Sequence, residues 1–365
     1  MSERSGRLSE RTKWQLMAVL VAATVALLLL AAEGAVRIRQ AIRYGTPQTV
    51  EDLYAVDAQT KLRLPIPGKT TGPITINSLG FRGPELAVPK VAGSIRIAFL
   101  GGSTTFCAEV SSNDMTWPHL VTTALAQRIP GRRFDYVNAA VPGYVVSTLH
   151  QNLVLRVAPL DPDVIVIYEA ANDLSRELRE LAVERGLLKE GKLTERSLFA
   201  RYSLLWELVE KNMRIHSAQS AAVEGAGRLQ FDPSQLGERY RKDLLELVAE
   251  SKRHAKLVAI ATFSIQPRAT QAAEVQQRAS QSAFFYMPFV TPDSLIAAYA
   301  RYNVLAREVA RDTGALLIEN EDAIPGDAAH FADTVHFTDA GSARMAQRVS
   351  QALLDAPRFQ SLIVR

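Results

Sequence analysis

Residues 95–106 read IRIAFLGGSTTF. The run 95–100, apolar but for one arginine, has strand length and stops on Gly101-Gly102-Ser103. A short, continuous apolar run marks a strand covered on both faces, as in a parallel sheet. Glycines let a chain turn sharply and let another group approach the backbone. Two glycines and a serine at a strand end pose two readings: a tight turn alone, or a turn that presents a nucleophile.

The same kind of run recurs outward from there. FDYV at 134–137, VIVIY at 164–168, LVAIA at 257–261 and ALLI at 315–318 are too short for helices and too continuous for half-exposed strands. Helix-like stretches lie between them at 117–129, 146–158, 236–254 and 294–313, and a last one runs from Gly341 to Leu354. The first opens on Trp117-Pro118, and proline suits a first helical turn; Leu120, Ala124, Leu125 and Ile129 then share a face. Strand alternating with helix predicts an α/β fold with a parallel sheet. Two insertions interrupt the rhythm. Residues 174–235 are charged and helix-prone around LFARYSLLWELVEKN, and residues 264–293 hold SAFFYMPF. That aromatic cluster, at 284–289, reads equally as a lid or acyl-binding wall and as a plug over the sheet edge.

The 365 residues are 47% hydrophobic and 22% charged, an ordinary globular composition. The net charge of +4 comes from scattered lysines and arginines with no basic stripe, which argues against a nucleic-acid partner. The single cysteine, Cys107, excludes an intrachain disulfide, so the fold rests on its core. Close after Ser103, it reads as a small buried apolar residue.

The N-terminus has another character. Residues 1–13 form a polar tail with Arg4, Arg7, Arg11 and Lys13, expected in the cytoplasm. LMAVLVAATVALLLLAA then runs from Leu16 to Ala32 without a charge, with Trp14 at its edge. That approaches the ~20 residues that cross a bilayer and exceeds a signal-peptide core of up to about 15. We read 14–34 as a transmembrane signal anchor; the small residues Ala32 and Gly34 leave cleavage as the other reading. Arg37, Arg39 and Arg43 make the charge bias slight, but long C-terminal domains translocate largely regardless of it. The expected arrangement is a single-pass inner-membrane protein with its folded part in the periplasm. Residues 35–92 form a lead-in, from residue 44 rich in Pro, Gly and Thr and broken by turns, packing on a main domain at 93–365.

Ligands of an open α/β sheet gather at the carboxyl ends of its strands. There the sequence places Ser103, then Asn138 and Gly143 in VNAAVPGY, then Asn172 and Asp173 in YEAAND, then Asp333 and His336 in DTVHFTDAG. These types suffice for acyl transfer. A serine hydroxyl needs a base to take its proton, and His336 is one. Asp333, three residues earlier, is placed to hold the imidazole and stabilise its charged form. The backbone N–H groups of Ser103 and Gly143 and the Asn172 amide offer three donors for an oxyanion. Taken singly, each is ordinary: Gly-Gly-Ser, Pro142-Gly143 and a post-strand Asn are turn chemistry, and Asp-x-x-His is often a local hydrogen bond. Their order on one rim makes the set specific.

That set resembles the SGNH (GDSL-type) hydrolase family, named for Ser, Gly, Asn and His in four blocks. FLGGSTTF is similar to the first block with Ser103, NAAVPG to the second with Gly143, AAND to the third with Asn172, and DTVH to the last with Asp333 and His336. The likeness covers about residues 93–350; NSLGFRGPE and the membrane segment resemble a bacterial membrane-anchored branch. The resemblance implies a flavodoxin-like three-layer α/β/α sandwich of about five parallel strands and esterase chemistry without metal or organic cofactor. It implies Ser103 as nucleophile, Asp333 and His336 as its partners, and Ser103, Gly143 and Asn172 as the oxyanion hole. Three positions depart from the pattern. Gly102 stands where aspartate is common, and Ala140 and Ala170 where glycine is frequent, changes that add a methyl and would tighten the pocket.

A metal site is the competing reading of the last block. His330, Asp333 and His336 are spaced as zinc ligands on one helix face, but the residues between them suit an extended loop and the metal leaves Ser103 and Asn172 unexplained. His119, His150, His216 and His254 fall in helical stretches and read as packing or surface residues, and Asp173 as structural. The expected activity is a serine esterase acting on small-molecule or glycan esters, foremost O-acetyl esters of envelope carbohydrate, then lipid esters. The alternatives are an acyltransferase using the same serine on a glycan and a non-catalytic membrane-tethered binding protein.

Overall fold

The computed structural model of the chain describes residues 9–44, 50–188, 197–220 and 227–364. Part of the expected tail (1–8) and parts of the first insertion (189–196 and 221–226) lie outside the described residues. The chain divides into two compact units, residues 1–49 with 193–214, and residues 50–192 with 215–365.

The larger unit is built on five parallel strands: β1 (Ser94–Gly101), β2 (Arg133–Asn138), β3 (Val164–Tyr168), β4 (Leu257–Ala261) and β5 (Leu316–Ile318). Their order is β2-β1-β3-β4-β5, the flavodoxin-like order. Every strand read from the sequence is present. β1, β3 and β4 are buried at each position, which is why they are continuous apolar runs. The exception inside β1 is Arg96, fully buried. It meets its register neighbour Asp135 on β2 through Nε and Nη2 at 2.8 Å each and donates to the Leu160 and Ala87 carbonyls. A buried charge is tolerable only when paired and hydrogen-bonded in this way.

Helices Trp117–Arg128, Val146–Asn152, Glu238–His254, Pro292–Thr313 and Asp339–Asp355 flank the sheet and complete a three-layer α/β/α sandwich. The longest of these begins at a capping box made by Thr291 and Ser294, with Pro292 next, and ends at Gly314 in left-handed conformation. Residues 50–92 form two small hairpins, Tyr54–Val56 with Arg63–Pro65 and Thr70–Thr71 with Ile74–Thr75. They bury Leu53, Leu62, Ile74, Ile76 and Phe81 in the main core.

In the smaller unit one helix runs from Glu10 to Tyr44, past residue 34 where the apolar segment ends. Nothing in AVRIRQAIRY breaks a helix, and Gly45 and Pro47 come only afterwards. This helix is long and apolar enough to cross a membrane, with none of its apolar window buried. The middle of the first insertion, Leu198–Tyr202 and the start of Leu204–Ser220, belongs to the same unit. Glu33 accepts hydrogen bonds there from Ser203 Oγ (2.8 Å), Leu204 N (3.1 Å) and Leu205 N (2.9 Å).

Candidate active site

Close approach explains both glycines at the end of β1. A Cβ on Gly101 would stand 2.1 Å from Thr105 Oγ1 and 2.4 Å from the Tyr168 carbonyl oxygen. One on Gly102 would stand 2.4 Å from Glu169 Oε2 and 2.5 Å from Asn172 Nδ2. The chain then makes a single helical turn, Ser103–Phe106, ended by Cys107 at φ 60°. Ser103 opens that turn, so its N–H has no acceptor within it. Arg82, buried, holds the far end. Its Nη1 donates to the carbonyls of Phe106 (2.8 Å) and Cys107 (2.5 Å), and its Nε to Asn113 Oδ1 (2.9 Å). Cys107 is buried, and burial pushes its thiol up to about 12, which leaves it a packing residue.

His336 faces Ser103 from a loop tied at its base by the Phe331–Phe337 bridge. Its Nε2 lies 2.8 Å from Ser103 Oγ, and its Nδ1 lies 2.8 Å from Asp333 Oδ2. Asp333 has two tasks. Oδ1 accepts from the N–H groups of Val335 and His336, both at 2.9 Å, and so shapes the loop; Oδ2 orients the ring. The second insertion fastens this loop. Thr334 Oγ1 donates to the Ala279 carbonyl (2.8 Å), Thr334 N donates to Ser282 Oγ (3.0 Å), and Gln266 N donates to the Thr334 carbonyl (2.8 Å). Met287 and Phe289 of the aromatic cluster are buried in the core, whereas Tyr286 is exposed.

Asn172 opens the helix Ala171–Glu184 after β3. Its Nδ2 donates to the Tyr144 carbonyl (2.9 Å), and one further hydrogen on that nitrogen remains for a ligand. Gly143 precedes Tyr144 in a turn closed by Tyr144 N and the Val141 carbonyl (3.1 Å), with φ +86° at the glycine. A turn with proline second takes a positive φ third, hence Pro142-Gly143. Ser103, His336 and Asp333 are thus joined directly, Asn172 reaches them through Gly102, and Gly143 stands on the adjoining loop. Asp173 is structural: Oδ2 accepts from Val146 N (2.9 Å) and Oδ1 pairs with Arg176 (3.0 Å). Ala140 and Ala170 are both buried, so their methyls pack in the core.

Burial raises the Asp333 carboxyl, but the hydrogen bond and charge of His336 and the N–H groups of Val335 and His336 outweigh it and hold it below the ordinary range. Burial lowers the affinity of His336 for a proton. The Asp333 hydrogen bond and the charges of Glu109 and Asp333 more than reverse that, so His336 lies above its ordinary 6.5. Glu109, whose Oε1 is 4.0 Å from His336 Nδ1, is itself raised by burial. His330 pairs with Asp327 instead (Nδ1 to Oδ1, 2.8 Å), and among the described residues no group of three His, Cys, Asp or Glu side chains could hold a metal ion. His254 hydrogen-bonds Glu250 (2.9 Å), and His119 packs edge-on against Tyr136. The side chain of His216 lies outside the described residues. The sequence reading passed over Arg82, Glu109 and Glu169. Only the last left a trace, as a lone carboxylate at the end of a wholly apolar strand.

A parallel α/β/α sandwich that joins a serine, a histidine and a carboxylate in a hydrogen-bonded series at its strand ends has the parts of a nucleophilic enzyme. The chain belongs to the GDSL-like lipase/acylhydrolase family, whose sequence model matches residues 99–344, and is an ester-hydrolysing enzyme. A search of the curated proteins finds no match. Among solved structures it is similar to a variant of Axe2, an acetyl xylan esterase from Geobacillus stearothermophilus, at 17% identity and TM-score 0.46, covering 71% of this chain and 95% of that one. It is also similar to LAE5, an alpha/beta hydrolase enzyme from the metagenome of Lake Arreo, Spain, at 20% identity and TM-score 0.45, covering 72% of this chain and 96% of that one.

Proposed function

We propose that the chain is a membrane-anchored serine esterase that removes acyl groups, foremost O-acetyl groups, from envelope carbohydrate through an acyl-serine intermediate. The observation that carries this is the hydrogen-bonded series Ser103 Oγ–His336 Nε2, His336 Nδ1–Asp333 Oδ2, each link 2.8 Å. Ser103 Oγ attacks the ester carbonyl carbon while His336 takes its proton. The oxyanion is held by the N–H groups of Ser103 and Gly143 and by the Asn172 amide. Collapse breaks the ester bond, and the leaving alcohol takes the proton back from His336. Water, deprotonated by the same imidazole, then cleaves the acyl-serine and releases the acid. Asp333 keeps the imidazole in the tautomer with the proton on Nδ1 and offsets its charge. None of these residues calls for a metal or organic cofactor.

The envelope assignment rests on the anchor at 14–34, which would tether the periplasmic domain beside such substrates. The test is labelling of the full chain in detergent by a fluorophosphonate, with the adduct located by mass spectrometry. Labelling at Ser103 that is lost in Ser103→Ala is the expected result. Folded wild type that takes no label would favour a binding protein. Asn172→Ala should label yet turn over 4-nitrophenyl acetate about a hundredfold more slowly, the usual effect of one oxyanion donor. Acetylated oligosaccharide offered with and without a sugar acceptor then separates hydrolysis from acyl transfer by product.

A further inference from the structure

Glu169 stands just past the end of β3, beside the serine turn and before the Asn172 helix, and the reaction above has no step for it. It is fully enclosed at 4% exposure. Oε1 accepts from Asn172 N at 2.9 Å. Oε2 is buried and points at Gly102, where a Cβ would stand 2.4 Å from it; the backbone N–H groups of Gly102 and Ala170 also act on this carboxyl. The same absent Cβ would stand 2.5 Å from Asn172 Nδ2. The space that a side chain at position 102 would enter is therefore filled by the Glu169 carboxyl and the Asn172 amide.

We propose that Glu169 is a positioning residue of this active site: its carboxyl fills from the end of β3 the space that a side chain at position 102 would take, and it sets both the Gly102–Ser103 turn and the Asn172 amide. The glycine and the glutamate are then two halves of one exchange. A side chain at 102 is excluded while Glu169 is present, and Glu169 is needed because position 102 has none. Buried polar groups in contact couple strongly, so the two sites should behave non-additively. The Tyr240 hydroxyl donates to the Glu169 carbonyl at 3.0 Å, which fixes the backbone from which the side chain projects. This inference rests on the serine-esterase reading, which the wild-type labelling result decides by itself.

The experiment is a cycle of Gly102→Asp, Glu169→Ala and the double variant, made in the full chain in detergent. It reads kcat and KM on 4-nitrophenyl acetate, the rate of fluorophosphonate labelling, and folding by circular dichroism. Glu169→Ala should lower kcat about 30-fold with KM changed less than about threefold, because the donors, not the substrate pocket, lose their placement. Gly102→Asp alone should lower kcat at least as much, through the clash. Combined, they should recover about tenfold or more over either single variant. Glu169→Gln, which keeps the shape and the acceptor for Asn172 N, should stay within about fivefold of wild type. If Glu169→Ala fails to fold, recovery of folding and turnover on adding Gly102→Asp supports the exchange, and no recovery overturns it. A wild-type kcat in Glu169→Ala, or a double variant no better than the worse single one, also overturns it. Wild type that takes no label overturns the esterase reading instead.

Discussion

His336 Nε2 stands 2.8 Å from Ser103 Oγ although 233 positions separate them in the chain. Side-chain ties between the segments that follow the two residues close that distance. Ser111 donates to the Asp339 carboxylate through N (2.9 Å) and Oγ (2.6 Å), and Ser342 Oγ donates to the Met115 carbonyl (2.6 Å). The serine turn and the histidine loop are thereby fastened to each other beside the reacting atoms, as preorganised chemistry requires.

Two carboxylates face the imidazole nitrogen turned away from Ser103. Asp333 binds it at 2.8 Å, and Glu109 is 4.0 Å from it. His336→Ala should lower kcat about 10⁵-fold, and Asp333→Ala only about 10³-fold, because the Glu109 carboxyl at 4.0 Å still favours the charged ring. Adding Glu109→Gln to Asp333→Ala should bring the loss close to that of His336→Ala. Steady-state kinetics on 4-nitrophenyl acetate measures this, and an Asp333→Ala variant indifferent to Glu109→Gln would remove Glu109 from the account.

The reaction needs His336 neutral to accept the serine proton. Its affinity for a proton is raised above the ordinary value: burial opposes this, but the Asp333 hydrogen bond and the charges of Glu109 and Asp333 prevail. The acid limb of kcat/KM should therefore have its midpoint above pH 6.5, with activity lost as the pH falls through it. Asp333 is held below the ordinary carboxylate range and stays ionised throughout that window. Glu109→Gln removes a negative charge near the ring, so the midpoint should move down. A pH profile of kcat/KM for the two proteins tests both statements; an unmoved midpoint would show that Glu109 is not felt by the ring.

Arg82 reaches from the lead-in under the serine turn and donates to Phe106, Cys107 and Asn113. Its replacement by methionine keeps the stem but leaves buried carbonyls without a donor. Each such loss is worth about 1–3 kcal/mol, so Arg82→Met should destabilise the main unit by about 3 kcal/mol in urea titration. Fluorophosphonate labelling of Ser103 should slow as well, since the turn loses its far support.

The parallel strands were legible because burial on both faces writes itself into sequence as unbroken apolar runs, and even Arg96 does not hide β1 once Asp135 is seen beside it. The four rim blocks were legible because strand ends and glycine turns have local signatures. Glu169 was not, since its meaning depends on a missing side chain at Gly102, across two strands. The fate of the aromatic cluster was not either: whether Met287 and Phe289 line a pocket or join the core is decided by what packs on them. Nor does any local signal tie Ser203 to Glu33, which are 170 positions apart.

That last tie leads to a prediction about the membrane. Glu33 ends the uncharged run and holds the turn at Ser203, while Arg37 Nη2 donates to the Tyr202 carbonyl at 3.0 Å. Phe199, Tyr202 and Trp206 are therefore held close to where the apolar span stops, and they are 75%, 81% and 45% exposed. Aromatic side chains in that place belong at a membrane–water interface. With Trp14→Phe removing the other exposed indole, reconstituted full chain contains Trp206 and the fully buried Trp117 as its fluorophores. Lipid brominated near the headgroup should quench the Trp206 component and spare the Trp117 one, and Glu33→Ala should weaken that quenching by releasing the turn. Trp206 quenched no more than the buried Trp117 would place the segment away from lipid. Release of the chain from membranes by alkaline wash would remove the anchor itself.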